Sequence, residues 1–212
     1  MRITWHGHSC FEFTDGITVV IDPHDGKSIG IKPPSVKADL VLMSHDHYDH
    51  SAARVVRGMH KDILGKTGEF DFKGLTITGL PTFHDEHHGL KRGRNVAYKF
   101  KMDGINFCHC GDLGHIPEQS FYDELGEVDI LFVPTGGVFT LSMDKVVELI
   151  EVIKPKIVVP MHYHIGGLSI AIDGIEAFLD KVPSNRVFNV GNMVDLYLED
   201  MEEGTEYWIF SL

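Results

Sequence analysis

Residues 45–50 read HDHYDH, placing His45, His47 and His50 with Asp46 and Asp49 in six positions, and the whole chain holds 14 histidines. Neutral imidazoles and carboxylates so closely spaced suit divalent transition metals, with Zn, Mn, Fe, Co and Ni as the candidates. His45 and His47, two apart on an extended turn, point the same way. Asp49 and His50 face a second point a few ångströms on, so the spacing fits two adjacent metal positions better than one. The competing reading makes Asp46 and Asp49 caps of a following helix, but caps explain no histidine. Further ligand types stand where other apolar runs end: His84 after Leu75 to Phe83, Asp112 in CGD after Ile105 to Cys110, and His162 in PMH after Ile157 to Pro160.

The elements that must carry these residues are readable from periodicity. Strand-like runs bounded by Gly, Pro or Asp cover 2–6, 9–14, 17–22, 39–43, 69–73, 75–81, 95–101 and 104–110. Gly16, Gly74 and Gly104 fall between neighbouring runs, as hairpin turns require. In the second half the apolar runs 128–133 and 156–160 alternate with helical patterns. Val146, Leu149, Ile150 and Ile153 mark one helix, with Ser142 as N-cap and Pro155 as its stop. Ile172, Ile175, Leu179 and Val182 mark another. Pro117 at N1 opens a shorter helix through about Leu125, Ser51 to Arg57 forms one more, and strands return at 194–199 and 207–210. Two sheets with helices outside is the economical architecture. With 212 residues, no linker and no repeat, the expectation is one domain over 1–212.

Acidic residues outnumber basic ones, 31 to 19, for a net charge of −12. That balance argues against nucleic acid as a partner, since phosphate-backbone binding needs clustered cations. No run is long and apolar enough for a membrane span, Met1 leads straight into a strand pattern, and the three cysteines suit a reducing compartment. The expectation is a cytoplasmic protein with a small-molecule substrate, and a homo-oligomer is left open.

The ordered set H-x-H-x-D-H, then His, Asp and His, resembles the signature of the metallo-β-lactamase superfamily. WHGHSCFEF at 5–13, VIDP at 20–23, CGDLG at 110–114, PTGGVFTLSMD at 134–144 and KPKIVVPMHY at 154–163 are similar to its UlaG-type branch of metal-dependent hydrolases. That branch includes an ascorbate-phosphate lactonase and relatives of an N-acylphosphatidylethanolamine phospholipase D. The resemblance implies an α+β fold, a four-layer αββα sandwich of two mixed or antiparallel sheets flanked by helices. It implies one metal on His45, His47 and His84, a second on Asp49, His50 and His162, and Asp112 bridging them. The implied reaction is attack of an activated water on an ester, lactone or phosphodiester. Asp49 would orient that water, and His8, on the Gly7 turn, would serve the oxyanion or the leaving group, or else pin the turn.

Rival readings are a non-catalytic metal-binding sensor or scaffold of the same fold, and a diiron oxidoreductase, whose Glu is replaced here by Asp46. After His84 the run Asp85, Glu86, His87, His88 raises the question of register, and His84 is chosen for its place at the strand end. His164 stays open between a substrate contact, a support and an alternative ligand. Asp22 is expected to fix a ligating imidazole, and Gly136-Gly137 to let backbone approach substrate. His24, His109 and His115 read as hydrogen-bonded or exposed histidines, His6 and His60 as structural or surface ones, and Cys108 and Cys110 as strand packing.

Overall fold

The computed structural model describes residues 1–201 and 203–212. Its first strands are β1 (Arg2–Trp5), β2 (Phe11–Asp15), β3 (Ile17–Ile21), β4 (Leu40–Met43) and β5 (Lys61–Leu64). A meander follows through β6 (Gly68–Phe72), β7 (Leu75–Phe83), β8 (Arg94–Met102) and β9 (Ile105–His109). Then come α1 (Gln119–Leu125), β10 (Ile130–Pro134), α2 (Met143–Ile153), β11 (Ile157–Met161) and α3 (Glu176–Leu179). The chain closes with β12 (Val187–Gly191), β13 (Met193–Asp195) and β14 (Glu206–Phe210). Among the described residues these strands form two mixed sheets, ordered β13-β1-β2-β3-β4-β5 and β12-β14-β11-β10-β9-β8-β7-β6. The expected αββα sandwich is therefore the architecture found.

Period-2 alternation sends one face of each central strand into the space between the sheets. From the first sheet Phe11, Phe13, Val19, Ile21, Leu40 and Leu42 meet Phe100, Phe107 and Phe132 of the second. Phe13 lies 5.1–5.5 Å from those three rings in edge-on geometry, each such pair stabilising by about 0.5–1.5 kcal/mol beyond area burial. The opposite face of the same strands, Val20, Val41 and Met43, is covered by Val36, Ala38, Ala53 and Val56. On the second sheet α1 and α2 bring Phe121, Leu125, Val146 and Leu149 to the core. Strands β10 and β11 are buried at every position, as parallel strands covered on both faces must be, which is why they read ILFVP and IVVPM.

Strand direction decides where the chemistry collects. β3, β4 and β5 are parallel, as are β9, β10 and β11. β7 runs antiparallel to β8 and β8 to β9, so β7 shares the direction of β9. By the same two-step count β1 shares the direction of β3. The C-terminal ends of β1, β3, β4, β7, β9 and β11 all open on one edge of the sandwich, where His8, Asp22, His45 to His50, His84, Asp112 and His162 follow.

Several local expectations are corrected. The helix expected over Ser51 to Arg57 is one 3₁₀ turn, Ala53–Val55, because Ala52 N–H and Arg57 N–H are taken by Pro23 O and Val36 O. The helix marked from Ile172 to Val182 is reduced to α3. Ile172 instead packs with Ile29 and Leu168 ahead of Gly174. α1 starts after Glu118, so Pro117 is outside it, and Ser142 occupies the N-cap of α2 without a side-chain cap bond. β5 and β12 were not expected. The exposed Lys61 and Asp62 hide an edge strand behind charges that guard it from stray pairing.

Candidate metal centre

Asp112 is the hub. Its Oδ2 lies 3.0 Å from His84 Nε2, 3.2 Å from His50 Nε2, 3.2 Å from His162 Nε2 and 3.7 Å from His45 Nε2. Around it the ligand atoms of His45, His47 and His84 come within 4.8 Å of one another, as do those of His8, Asp49, His50 and His162, and those of His45, His50 and Asp112. The eight residues to which the resemblance gives metal or catalytic roles, six of them His, thus meet at one point of the fold. Asp46 does not join them: it is exposed and accepts Ser51 Oγ–H at 3.2 Å.

Backbone shape brings these side chains in. His8, Asp22 and His162 all adopt left-handed φ, at 55°, 49° and 54°, which turns the chain sharply at three strand ends. Three glycines admit close neighbours. A Cβ on Gly111 would stand 2.4 Å from Asn95 Oδ1, one on Gly114 2.3 Å from the carbonyl carbon of His84, and one on Gly136 2.1 Å from His162 O. Gly136 was expected to give substrate room; it gives room to the backbone of His162.

Behind the cluster, Asp22 accepts from Ser44 N–H and Ser44 Oγ–H, both at 2.7 Å, and from His50 Nδ1–H at 3.1 Å. Because Ser44 Oγ donates to Asp22, it accepts from His45 Nδ1–H at 2.9 Å. Both imidazoles are thereby fixed with Nε2 toward Asp112, the arrangement that metal-ligating histidines use. Asn95 Oδ1 accepts Asp112 N–H at 2.9 Å, while its amide donates to Thr82 Oγ1 and Cys110 O. Ser44 adjoins the histidine cluster and was overlooked. Asn95 carries no signal in the sequence, being an interior β8 residue.

Whether metal suits these residues is tested by their own chemistry. His50 Nε2 and Asp112 Oδ1 are buried without hydrogen-bond partners, despite the crowd of polar atoms around them. Buried polar atoms are normally satisfied, so lone pairs that converge without pairing fit a cation between them. Charge says the same. Burial would lower the His50 pKa, yet Asp112 and Asp49 push it well above its ordinary value. Burial would raise Asp112, yet His162, His50 and His84 hold it well below the carboxylate range. His45 is depressed to about 3, chiefly by burial, and so is a neutral imidazole with a lone pair to give.

His8 is fully buried, its pKa lowered to about 3 chiefly by burial, and its Nε2–H donates to Asp49 Oδ2 at 3.0 Å. The remaining histidines are engaged elsewhere. His24 Nε2 bonds His6 O, His109 Nε2 bonds Ser9 O, and His115 bonds Ile116 O and Phe83 N–H. His6 meets Glu12 and His60 meets Asp62. His87, His88 and His164 are exposed and outside the cluster. Asp85 accepts four backbone N–H groups, from His87, Gly89, Lys91 and Arg92, so its carboxylate serves the loop after His84.

A family profile for the β-lactamase superfamily domain matches residues 2–162, a span that runs from β1 to His162. The chain belongs to the β-lactamase superfamily. It is a metal-dependent hydrolase of that superfamily, as its motifs imply. A UPF0173 metal-dependent hydrolase of Methanopyrus kandleri is 30% identical over 193 residues, covering 77% of this chain and 84% of the relative. A Thermotoga maritima protein, assigned to the metallo-β-lactamase superfamily as a Zn-dependent hydrolase, superposes with a TM-score of 0.81. It is 32% identical and the match covers 99% of this chain and 97% of that one. The diiron β-hydroxylase CmlA of Streptomyces venezuelae shares the fold alone, at TM-score 0.63 and 14% identity over 84% of this chain and 49% of that one. Among the described residues no helix is long and apolar enough to cross a membrane.

Proposed function

We propose that this superfamily member hydrolyses an ester, lactone or phosphodiester in a small molecule, using two divalent transition metals, zinc foremost, with Mn, Fe, Co or Ni able to serve. One would be held by His45, His47 and His84, the other by Asp49, His50 and His162, with Asp112 shared. The observation that carries this reading is the position of Asp112 Oδ2 within 3.0–3.2 Å of imidazoles from both sets. Bound there, the metals would supply positive charge and an acidified water at neutral pH.

The chain's own residues do the rest. Asp22 and Ser44 fix His50 and His45, so that no reorganisation is needed at the reacting point. Asp49 gives one carboxylate to the cluster, and the His8 N–H holds its Oδ2, so His8 acts by orienting Asp49. An imidazole this depressed is a poor proton donor to a leaving group near neutral pH, since proton-transfer efficiency favours a pKa near the working pH. Free buried cysteines at 10, 108 and 110 support a reducing, cytoplasmic setting.

Metal-replete protein tested on a panel of lactones, phosphodiesters and carboxylic esters should turn over at least one class and lose that activity to a chelator. Stoichiometric metal with no turnover of any class would favour the sensor reading instead.

A further inference from the structure

Beside His45 and His47 of the cluster lies a cavity of about 720 Å³, within the range of small-molecule sites. Leu64 and Phe83 give it apolar lining, and Arg92 and Arg94 line it too. Two arginines there are unexpected in a chain of net charge −12. Several of the chain's other cations meet carboxylates, among them Arg2 with Asp195, Arg54 with Asp25, Lys73 with Asp39, Lys145 with Glu86, Lys156 with Asp129 and Lys181 with Asp144. Among the described residues Arg92 and Arg94 have no carboxylate partner.

Both are held in register with the cluster. Arg94 is paired across the sheet with Phe83, the residue before His84. The backbone N–H of Arg92 bonds Asp85 Oδ2 at 2.7 Å, the residue after His84. The Arg92 guanidinium lies 5.0 Å from the ring centroid of Phe139. That ring stands on the loop whose Leu141 N–H bonds Leu113 O, beside Asp112. Arg92 therefore spans the loop after His84 and the loop over Asp112, tethered at both ends while its charge stays uncompensated.

The geometry points to a substrate that carries an acidic group, carboxylate or phosphate, besides the bond to be cleaved, with Arg92 and Arg94 gripping that group. A guanidinium matches both oxyanions with paired N–H donors, and such charge-assisted bonds are about twice as strong as neutral ones. This rests on the hydrolase reading and names its substrate class.

The test compares the metal-replete parent with the Arg92→Gln/Arg94→Gln variant, and with Arg94→Glu alone, whose site on β8 is exposed. Calorimetric titration with glutarate and with inorganic phosphate reads binding without turnover. Affinity for one or both should fall at least about tenfold in the double variant, the size of one lost charge-assisted hydrogen bond, with the melting temperature held. A larger loss for glutarate assigns a carboxylate, and a larger loss for phosphate assigns a phosphate. In parallel, the KM of mono-p-nitrophenyl glutarate should rise by a similar factor while that of uncharged p-nitrophenyl valerate and both kcat values stay within about twofold. Unchanged affinity for both anions, or equal KM changes for the two esters, would overturn the proposal. If the parent turned over neither ester, the carboxylic-ester class would be what failed, the hydrolase reading would fail only with no turnover on lactones and phosphodiesters as well, and the titrations would still decide the cavity.

Discussion

Asp22 Oδ2 stands 3.1 Å from His50 Nδ1, and both side chains are wholly shielded from solvent. The same carboxylate holds Ser44, and Ser44 holds His45, so one buried charge orients an imidazole in each half of the cluster. Asp22→Asn removes that charge with little change of shape. Metal affinity should fall about 10–100-fold, the usual cost of losing such a support. Competition against a chromogenic chelator measures it, and an unchanged affinity would detach Asp22 from the metal centre.

His8 and Asp49 give a second prediction. If His8 orients Asp49, His8→Ala should lower kcat about tenfold or more, by a similar factor for good and poor leaving groups, and His8→Gln, which keeps an N–H donor, should recover part of the loss. Metal content should hold in both. A Brønsted series over substituted phenyl esters reads this directly. A deficit that grows with leaving-group pKa would return His8 to proton donation.

A third prediction lies away from the site. Burial would raise the Asp129 carboxyl, but Lys156 at 2.9 Å and the backbone and amide N–H groups of Asn106 hold it below its ordinary value. A group depressed on folding adds stability above its unfolded pKa, near 4, and loses that contribution as pH falls through the lower folded value. Asp129→Asn should therefore be less stable than the parent at pH 7 by about 1–2 kcal/mol, discounted for partial exposure, with the gap closing below about pH 4. Urea melts at pH 7 and pH 3.5 check the sign. A gap that widens in acid would contradict it.

Much of the site was legible because chemistry and topology coincide: each ligand-type residue ends an apolar run, and strand ends of like direction share one edge of the sandwich. The order His, Asp, His after HDHYDH needed no structure to be noticed. What escaped was whatever depends on pairing at long range. Asn95 reads as an ordinary strand residue until β8 lies beside the CGD turn. Arg92 and Arg94 carry no signal until the fold sets them around one cavity with His45 and His47. The helix from Ile172 is shorter than expected because Ile172 joins a small separate cluster with Ile29 while Ile175, Leu179 and Val182 pack on the main core, and β5 failed because an edge strand wears charges.

The central claim is that Asp112 joins two metals on which hydrolysis depends. Elemental analysis of protein purified under metal-replete conditions, parent beside Asp112→Ala, tests it most directly. The parent should hold about two transition-metal ions per chain, as a shared carboxylate between two ligand sets requires, and the variant should hold about one or fewer, with a cooperative melt retained and hydrolysis lost. A parent that binds no metal, or a variant that keeps both ions and full turnover, would contradict it.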